Sequence, residues 1–335
     1  MTQRIGFATG YDATLSVRDM AGWMADADRC GYEIGFFSET IELMRDSVTT
    51  LAAMALATES LTIGCTQIVR LRSPLIMAQT LASLDELTDG RVILAPGACT
   101  TSHARRHGLE PLDPPTTLRD WVAAMRLILS GERVSYEGES VSFEDVELGW
   151  EPKRRHVPMW IAATSTTGLR LAGEIGDGVL LNAICSPEYS ENALAIVREA
   201  AESAGKDWGQ FEVAQLINCS VEDRHEDALN AIRWEVASKF DPVQLPFIAG
   251  PKMRVGEPYI DKDDIPRFRD AYERGGTQGL IEAVPDSYVE GMTASGTPDE
   301  VLEKVERYRS IGVRLPILRP AAQHQTTRLI ELFEP

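Results

Sequence analysis

Cysteine is scarce, and its spacing suggests no pairing. The five cysteines (Cys30, Cys65, Cys99, Cys185 and Cys219) are odd in number, none stands in a C-x-x-C, and most lie in apolar runs. That argues against a disulfide framework and makes a reducing cytoplasm the expected compartment. Long apolar runs are also missing. No segment approaches the length that spans a bilayer, and the opening MTQRIGFATG lacks the stretch of a signal peptide. Positive charge is outnumbered: 33 Lys and Arg against 51 Asp and Glu give 33 − 51 = −18. Such a field disfavours nucleic acid and anionic membranes as partners. A small anionic ligand would need a basic pocket built for it. Several motifs are absent too. Without G-x-G-x-x-G or G-x-x-x-x-G-K, the nicotinamide-Rossmann and nucleotidase readings weaken. Without H-E-x-x-H or a compact carboxylate–histidine cluster, no metal is expected, and without G-x-S-x-G, no esterase-type serine.

What is present is alternation. Eight short apolar runs read as strands: Arg4–Thr9, Ile34–Phe37, Leu61–Val69, Val92–Ala95, Val157–Ala163, Gly178–Asn182, Glu212–Val221 and Val313–Leu318. Most are continuous, the pattern of parallel strands buried on both faces. Between them lie segments with apolar residues at helical spacing: Val17–Cys30, Val48–Thr58, Pro74–Leu87, Leu118–Leu129, Gly168–Ile175, Pro187–Ala204, Asp227–Ser238 and Pro298–Ser310. Eight strand–helix units in more than 300 residues favour a closed (β/α)8 TIM barrel over an open sheet, with residues 1–335 read as a single domain. About 90 residues separate the seventh and eighth strands. Within that enlarged excursion, Phe240–Asp264 is rich in Pro and Gly and reads either as a lid or as a segment packed on the barrel side.

The active site of such a barrel lies at the C-terminal ends of its strands. Glu39, just past the second strand, is placed there as an acid, a base or a hydrogen-bond acceptor, or as a plain helix cap. Thr66 and Gln67 interrupt the third run near its end, as a rim bulge would. Pro96-Gly97-Ala98 closes the fourth strand and lets backbone approach a flat ligand, or simply makes a tight turn. After the fifth strand, Thr164, Ser165, Thr166 and Thr167 open a helix, a natural phosphate cradle as well as a cap. Arg70, Arg105 and Arg106 follow strands and are candidates for an anionic substrate or cofactor tail. Lys153-Arg154-Arg155-His156 precedes the fifth strand, so topology assigns it to the opposite end as surface charge.

Four stretches carry a family resemblance: Gly31-Tyr32-Glu33-Ile34-Gly35-Phe36-Phe37-Ser38-Glu39; Ser73-Pro74-Leu75-Ile76-Met77-Ala78-Gln79-Thr80 running to Asp89-Gly90-Arg91; Val157-Pro158-Met159-Trp160 running to Gly176-Asp177-Gly178; and Gly296-Thr297-Pro298-Asp299-Glu300-Val301. In that order and spacing the chain resembles the bacterial luciferase-like superfamily of flavin and deazaflavin barrels. It is most similar to the methylene-tetrahydromethanopterin reductase branch, which uses the deazaflavin coenzyme F420. The resemblance implies an oxidoreductase that moves a hydride between the deazaflavin and a small organic substrate. The ring would sit near Thr66, Gln67 and Ile68, with a cis peptide at Gln67–Ile68. Gly97, Ala98, Ala163 and Asn182 would add cofactor contacts, and the phosphate would sit at Thr164–Thr167. Glu39 matches a position where relatives carry Asp or His, which implies a catalytic role. A homodimer is expected from the same likeness. The alternative is an FMN-dependent monooxygenase supplied with reduced flavin by a partner flavin reductase. Ala8 stands where pterin-reducing relatives carry a carboxylate, Glu39-Thr40 replaces an acid–histidine pair, and the fourth-strand turn is less Gly-rich. These departures leave the substrate open.

Overall fold

Apolar runs buried on both faces need a neighbour on each side, and a sheet closed on itself gives every strand two. In the computed structural model, which describes residues 3–9, 12–246 and 248–334, the eight strands do this. They are β1 (Gly6–Ala8), β2 (Ile34–Ser38), β3 (Thr62–Ile68), β4 (Val92–Gly97), β5 (Trp160–Ala163), β6 (Gly178–Leu181), β7 (Glu212–Val221) and β8 (Leu315–Pro320). Each pairs in parallel with the next, and β8 returns to β1. A further short strand, Ala294–Gly296, pairs with the end of β7. All eight barrel strands fall on the runs read from the sequence, within three residues at either end.

Alternation along the strands sorts the core into two layers. Ile34, Phe36, Ile93, Ala95, Trp160, Leu180, Ala214, Leu216, Leu315 and Ile317 fill the lumen. Their chain neighbours Phe37, Leu94, Ile161, Leu181, Val213 and Leu318 face the surrounding helices. Those helices are α1 (Val17–Arg29), α2 (Ser47–Ala57), α3 (Pro74–Leu87), α4 (Pro114–Leu129), α5 (Thr166–Ile175), α6 (Pro187–Ser203), α7 (His225–Ala237) and α8 (Thr326–Leu332). The side chains of Ser16, Asp46, Ser73, Asp113, Ser165 and Ser186 cap the first six. Proline at the start of α3, α4 and α6 suits a position whose N–H has no helical partner.

The excursion after α7 is itself folded. It carries helices Ala249–Val255, Ile265–Ala283, Asp286–Met292 and Pro298–Ser310. The first three pack with α7 around a separate core in which the rings of Phe240, Phe268 and Tyr288 lie 4.6–5.8 Å apart. The segment read as a lid or a packed excursion therefore sits on a hydrophobic base of its own; its Phe247 lies outside the described residues, as do Gly10 and Tyr11 after β1. The first three helices of the excursion, the strand Ala294–Gly296 and α8 go beyond the elements expected from the sequence, and so do two features between β4 and β5. A short helix, Thr101–Arg106, follows β4, and an antiparallel hairpin pairs Val134–Glu137 with Ser142–Val146. Asp120 of α4 holds that hairpin, accepting from Tyr136 Oη at 3.0 Å and from the Ser140 amide at 2.7 Å.

The position of α5 depends on one small residue. A Cβ on Gly173 would stand 2.4 Å from the Val197 carbonyl oxygen and 2.7 Å from the Ala201 nitrogen, both α6 backbone. Neither atom can rotate away. Gly173→Ala should therefore lower the unfolding free energy by about 1–3 kcal/mol through overpacking. Urea denaturation checks this, and an unchanged midpoint would show that the two helices separate at no cost.

Candidate active site

At the C-terminal ends of β2 to β7 the strands leave a narrow slot of about 230 Å³. Its lining includes Glu39, Thr66, Gln67, Ile68, Gly97, Ala98, Ala163, Thr164 and Asn182, along with Ser38, Leu180 and Leu216. Asn182 and Leu216 also line a second, larger cavity of about 960 Å³, whose other wall comes from α7, β8 and the excursion. A chamber of that size suits a small organic molecule.

Each slot residue is placed by strand parity. Gly64, Thr66 and Ile68 share the face of β3 that looks into the lumen, since a Cβ on Gly64 would meet the lumen residues Ile93 and Phe36. The Thr66 hydroxyl accepts from the Glu39 amide at 2.8 Å. β3 stays in register with β4 through Ile68 opposite Gly97. The expected rim bulge at Thr66–Gln67 is therefore absent, because the polar residues continue the ladder. The Gln67–Ile68 peptide is trans, contrary to the cis bond implied by the resemblance. In this geometry the Ile68 amide donates to Glu39 Oε2 at 2.8 Å.

Glu39 reaches the slot from the end of β2, with its carboxylate already engaged by the protein. Phe36 and Ser38 point into the lumen, so Phe37 and Glu39 point out toward α2. Its carboxylate accepts from Gln67 Nε2 at 2.7 Å and Ile68 N at 2.8 Å on one oxygen. On the other it accepts from Ser47 Oγ at 2.6 Å and Arg72 Nη1 at 2.6 Å. With both oxygens engaged and the side chain 7% exposed, the group ties β2, β3 and α2 together. Proton exchange with a ligand would require breaking one of these bonds. Arg72 also pairs with Asp46, the cap of α2, and Trp121 Nε1 donates to the Arg72 carbonyl at 3.0 Å.

At the far end of the slot, Ser165 caps α5, its Oγ accepting from the Gly168 amide at 3.2 Å. Among the described residues, the amides of Thr166 and Thr167 and the hydroxyls of Thr164, Thr166 and Thr167 have no protein partner. The buried Tyr189 donates to the Thr164 carbonyl at 2.7 Å and fixes the turn. Two open amides at a helix start, ringed by hydroxyls, are donors of the kind an anion takes.

The three arginines read as anion binders lie elsewhere. Arg70 donates to the Glu110 carbonyl at 3.1 Å and to that of Leu112, bracing the loop after β4. Arg106 pairs with Glu42 at 2.7 Å on the surface, and Arg105 is exposed on the same short helix. None of the three lines the slot or the larger cavity. Lys153–His156 does lie at the opposite barrel end, but it is more than surface charge: Arg154 clamps the buried Asp85 at 2.9 Å and the Val92 carbonyl at 2.7 Å, tying α3 to the start of β4.

The larger cavity is lined by Glu235, Lys239, Lys252 and Arg319, none of them expected from the sequence, and Asn218 stands behind Glu235. Asn218 of β7 and Arg319 of β8 both donate to Glu235 of α7, and the Arg319 and Glu235 side chains are each 4% exposed. Lys252 donates to the Ala183 and Ile184 carbonyls at 3.0 and 2.5 Å. Lys239 stands beside them. A signal was available: Arg319 is a charge at the C-terminal end of a barrel strand, and Asn218 is a polar break within an apolar one.

Glu39→Gln would replace an acceptor-only carboxylate with a group that must present a donor to one of four donors. Unfolding free energy should fall by about 2–3 kcal/mol. A urea denaturation midpoint equal to that of the unmodified chain would show that the carboxylate does not hold the rim.

Comparison with known proteins agrees with this architecture. Residues 3–315 match the model of the luciferase-like monooxygenase family. A 5,10-methylenetetrahydromethanopterin reductase of Methanolobus tindarius is 30% identical over 273 residues, covering 80% of each chain. An F420-dependent glucose-6-phosphate dehydrogenase of Microbacterium testaceum is 26% identical over 301 residues, covering 86% of this chain and 83% of that one. Among solved structures, the coenzyme F420-dependent tetrahydromethanopterin reductase of Methanopyrus kandleri superposes with a TM-score of 0.85 at 22% identity, covering 99% of this chain and 97% of the other. Its fold is the same barrel. Like these relatives the chain is an oxidoreductase, and by its match over nearly its whole length it belongs to the luciferase-like monooxygenase family.

Proposed function

We propose that this protein transfers a hydride between coenzyme F420, held in the slot, and a small organic substrate held in the adjoining cavity. The observation that carries the reading is the shared wall: Asn182 and Leu216 line both spaces, so a flat ring in one would lie against a substrate in the other. Relatives named as F420-dependent support the choice of coenzyme. Those relatives act on unlike molecules, a pterin and a sugar phosphate, so likeness does not name the substrate.

The residues fit the coenzyme. Gly97 has the lumen-facing parity of Ile93 and Ala95, and a Cβ there would meet only Ala162, at 3.5 Å. The space in front of it is therefore open to a planar ring. The α5 start, with its two open amides, suits the coenzyme's phosphate. When bound, the deazaflavin supplies a carbon that gives or takes a hydride. The protein's own part is to orient and to exclude water. Leu180 and Leu216 make an apolar floor, which keeps water from the reacting face. Asn182 spends its Oδ1 on the Ala183 amide at 2.8 Å, leaving its amide hydrogens for a ligand. Thr66, held by the Glu39 amide, keeps its hydroxyl hydrogen for the ring edge.

Fluorescence titration of the apoprotein tests the reading. Coenzyme F420 should bind at least about tenfold more tightly than FMN, a difference of 1.4 kcal/mol. The reverse order would replace this reading with an FMN-dependent monooxygenase. Gly97→Val should weaken coenzyme F420 by roughly tenfold or more by filling the slot. Its melting temperature should stay near that of the unmodified chain, because the added atoms enter open space.

A further inference from the structure

The −18 charge requires any anionic substrate to find a locally basic pocket, and the expected arginines do not supply one. Among the described residues, the larger cavity presents one cation that no protein group engages, Lys239. We infer that Lys239 is the anion-binding residue of the substrate chamber, so that the substrate carries a carboxylate or a phosphate group. The inference rests on reading this cavity as the substrate chamber.

The argument begins with partners. Among the described residues, no protein group lies within hydrogen-bonding or ion-pairing distance of the Lys239 ammonium. Its neighbours are otherwise committed: Lys252 is satisfied by two backbone carbonyls, and Arg319 by Glu235. A half-buried ammonium with no partner is costly unless a ligand completes it. The lining sets Lys239, Lys252 and Arg319 against Glu235, Asp241 and Asp12, and the acids are engaged: Glu235 by Arg319 and Asn218, Asp12 by Thr14 and Gln323. The Asp241 carboxylate is occupied by the amides of Val243 and Gln244 at 2.7 and 2.8 Å.

Lys239 is also held in place. It sits on the 3-10 turn Ser238–Phe240 that leaves α7, and the next residue, Phe240, is 2% exposed and packed against Phe268 and Tyr288. The backbone is therefore anchored in the excursion core while the side chain reaches the chamber. A half-buried cation on an anchored backbone is pre-organised, so little ordering cost falls on the ligand.

Proton linkage adds a second signature. Burial, then the positive charge of Arg319, with Lys252 acting in the same direction, lowers the Lys239 pKa to about 8, against the opposing pull of Glu235 and Asp241. Only the protonated form attracts an anion. Affinity should therefore be present below about pH 8 and be lost as pH rises through it.

Calorimetric titration of the full-length apoprotein with inorganic phosphate and, separately, with acetate tests the inference. The unmodified chain should bind at least one of them at pH 7 and bind it several-fold more weakly at pH 9. Lys239→Met should lose tenfold or more of that affinity, while Lys239→Arg should retain most of it. Dependence of phosphate alone on Lys239 indicates a phosphate ester, and dependence of acetate alone indicates a carboxylic acid. Equal binding by Lys239→Met and the unmodified chain overturns the inference, including the case in which phosphate binds only at the α5 start. Failure of the unmodified chain to bind either anion also overturns it. Circular dichroism of both variants checks that they are folded. Coenzyme F420 titration of the same proteins reports on the slot, so failure of the coenzyme reading and failure of the anion site register in different curves.

Discussion

Side chains on a strand alternate, and closing eight strands into a barrel turns that alternation into a division of labour. One residue in two faces the lumen and its ligands; the next faces a helix and its packing. Every assignment at the mouth depends on this parity. Ser38, Thr66 and Gly97 are on the ligand side because Phe36, Gly64 and Ala95 are. Glu39 and Gln67 follow the parity of Phe37 and Cys65, so they touch the slot at its rim while their polar ends bond each other beside α2. The two sets then depend on each other. The buried carboxylate gathers donors from β3, α2 and the loop after β3, while its own backbone amide aims the Thr66 hydroxyl. A polar network of this kind is stable only when fully satisfied, and the partners of Glu39 satisfy it.

The architecture was legible because it is repetitive. Most strands are continuous apolar runs, and each of the first six helices begins at a Ser or Asp that caps it. The Val134–Val146 hairpin was not legible. Its strands are only four and five residues long and half-exposed, so alternation in Val-Ser-Tyr-Glu had little length to declare itself. The mouth was legible as a set of positions, since the rule that function sits at strand ends needs only the strands. Orientation was harder. Reading Glu39 correctly requires knowing that extended backbone continues one residue past β2. Arg319 was lost to a boundary: the eighth run was closed at Leu318, and the strand continues to Pro320. Lys239 gave no signal, because it lies where a helix gives way to a segment without periodicity, and only tertiary packing brings it to the chamber.

Charge shows the same limit. Counting basic residues finds Arg70, Arg105, Arg106 and the Lys153–His156 cluster, which brace a loop, lie exposed or paired on the surface, or clamp the barrel's far end. The cations that matter at the mouth come singly from β8, α7's end and the excursion, and meet only in space.

The excursion has its own hydrophobic core, built on Phe240, Phe268 and Tyr288 and distinct from both layers of the barrel. One wall of the chamber is thus upholstered on a separate frame. Changes to that wall, such as a different side chain at Lys239 or at Ile248, are borne by the frame and add independently of changes at the slot. A lineage built this way can acquire a new substrate by re-lining one wall while the slot and its rim stay fixed, so diversification and folding are separately adjustable.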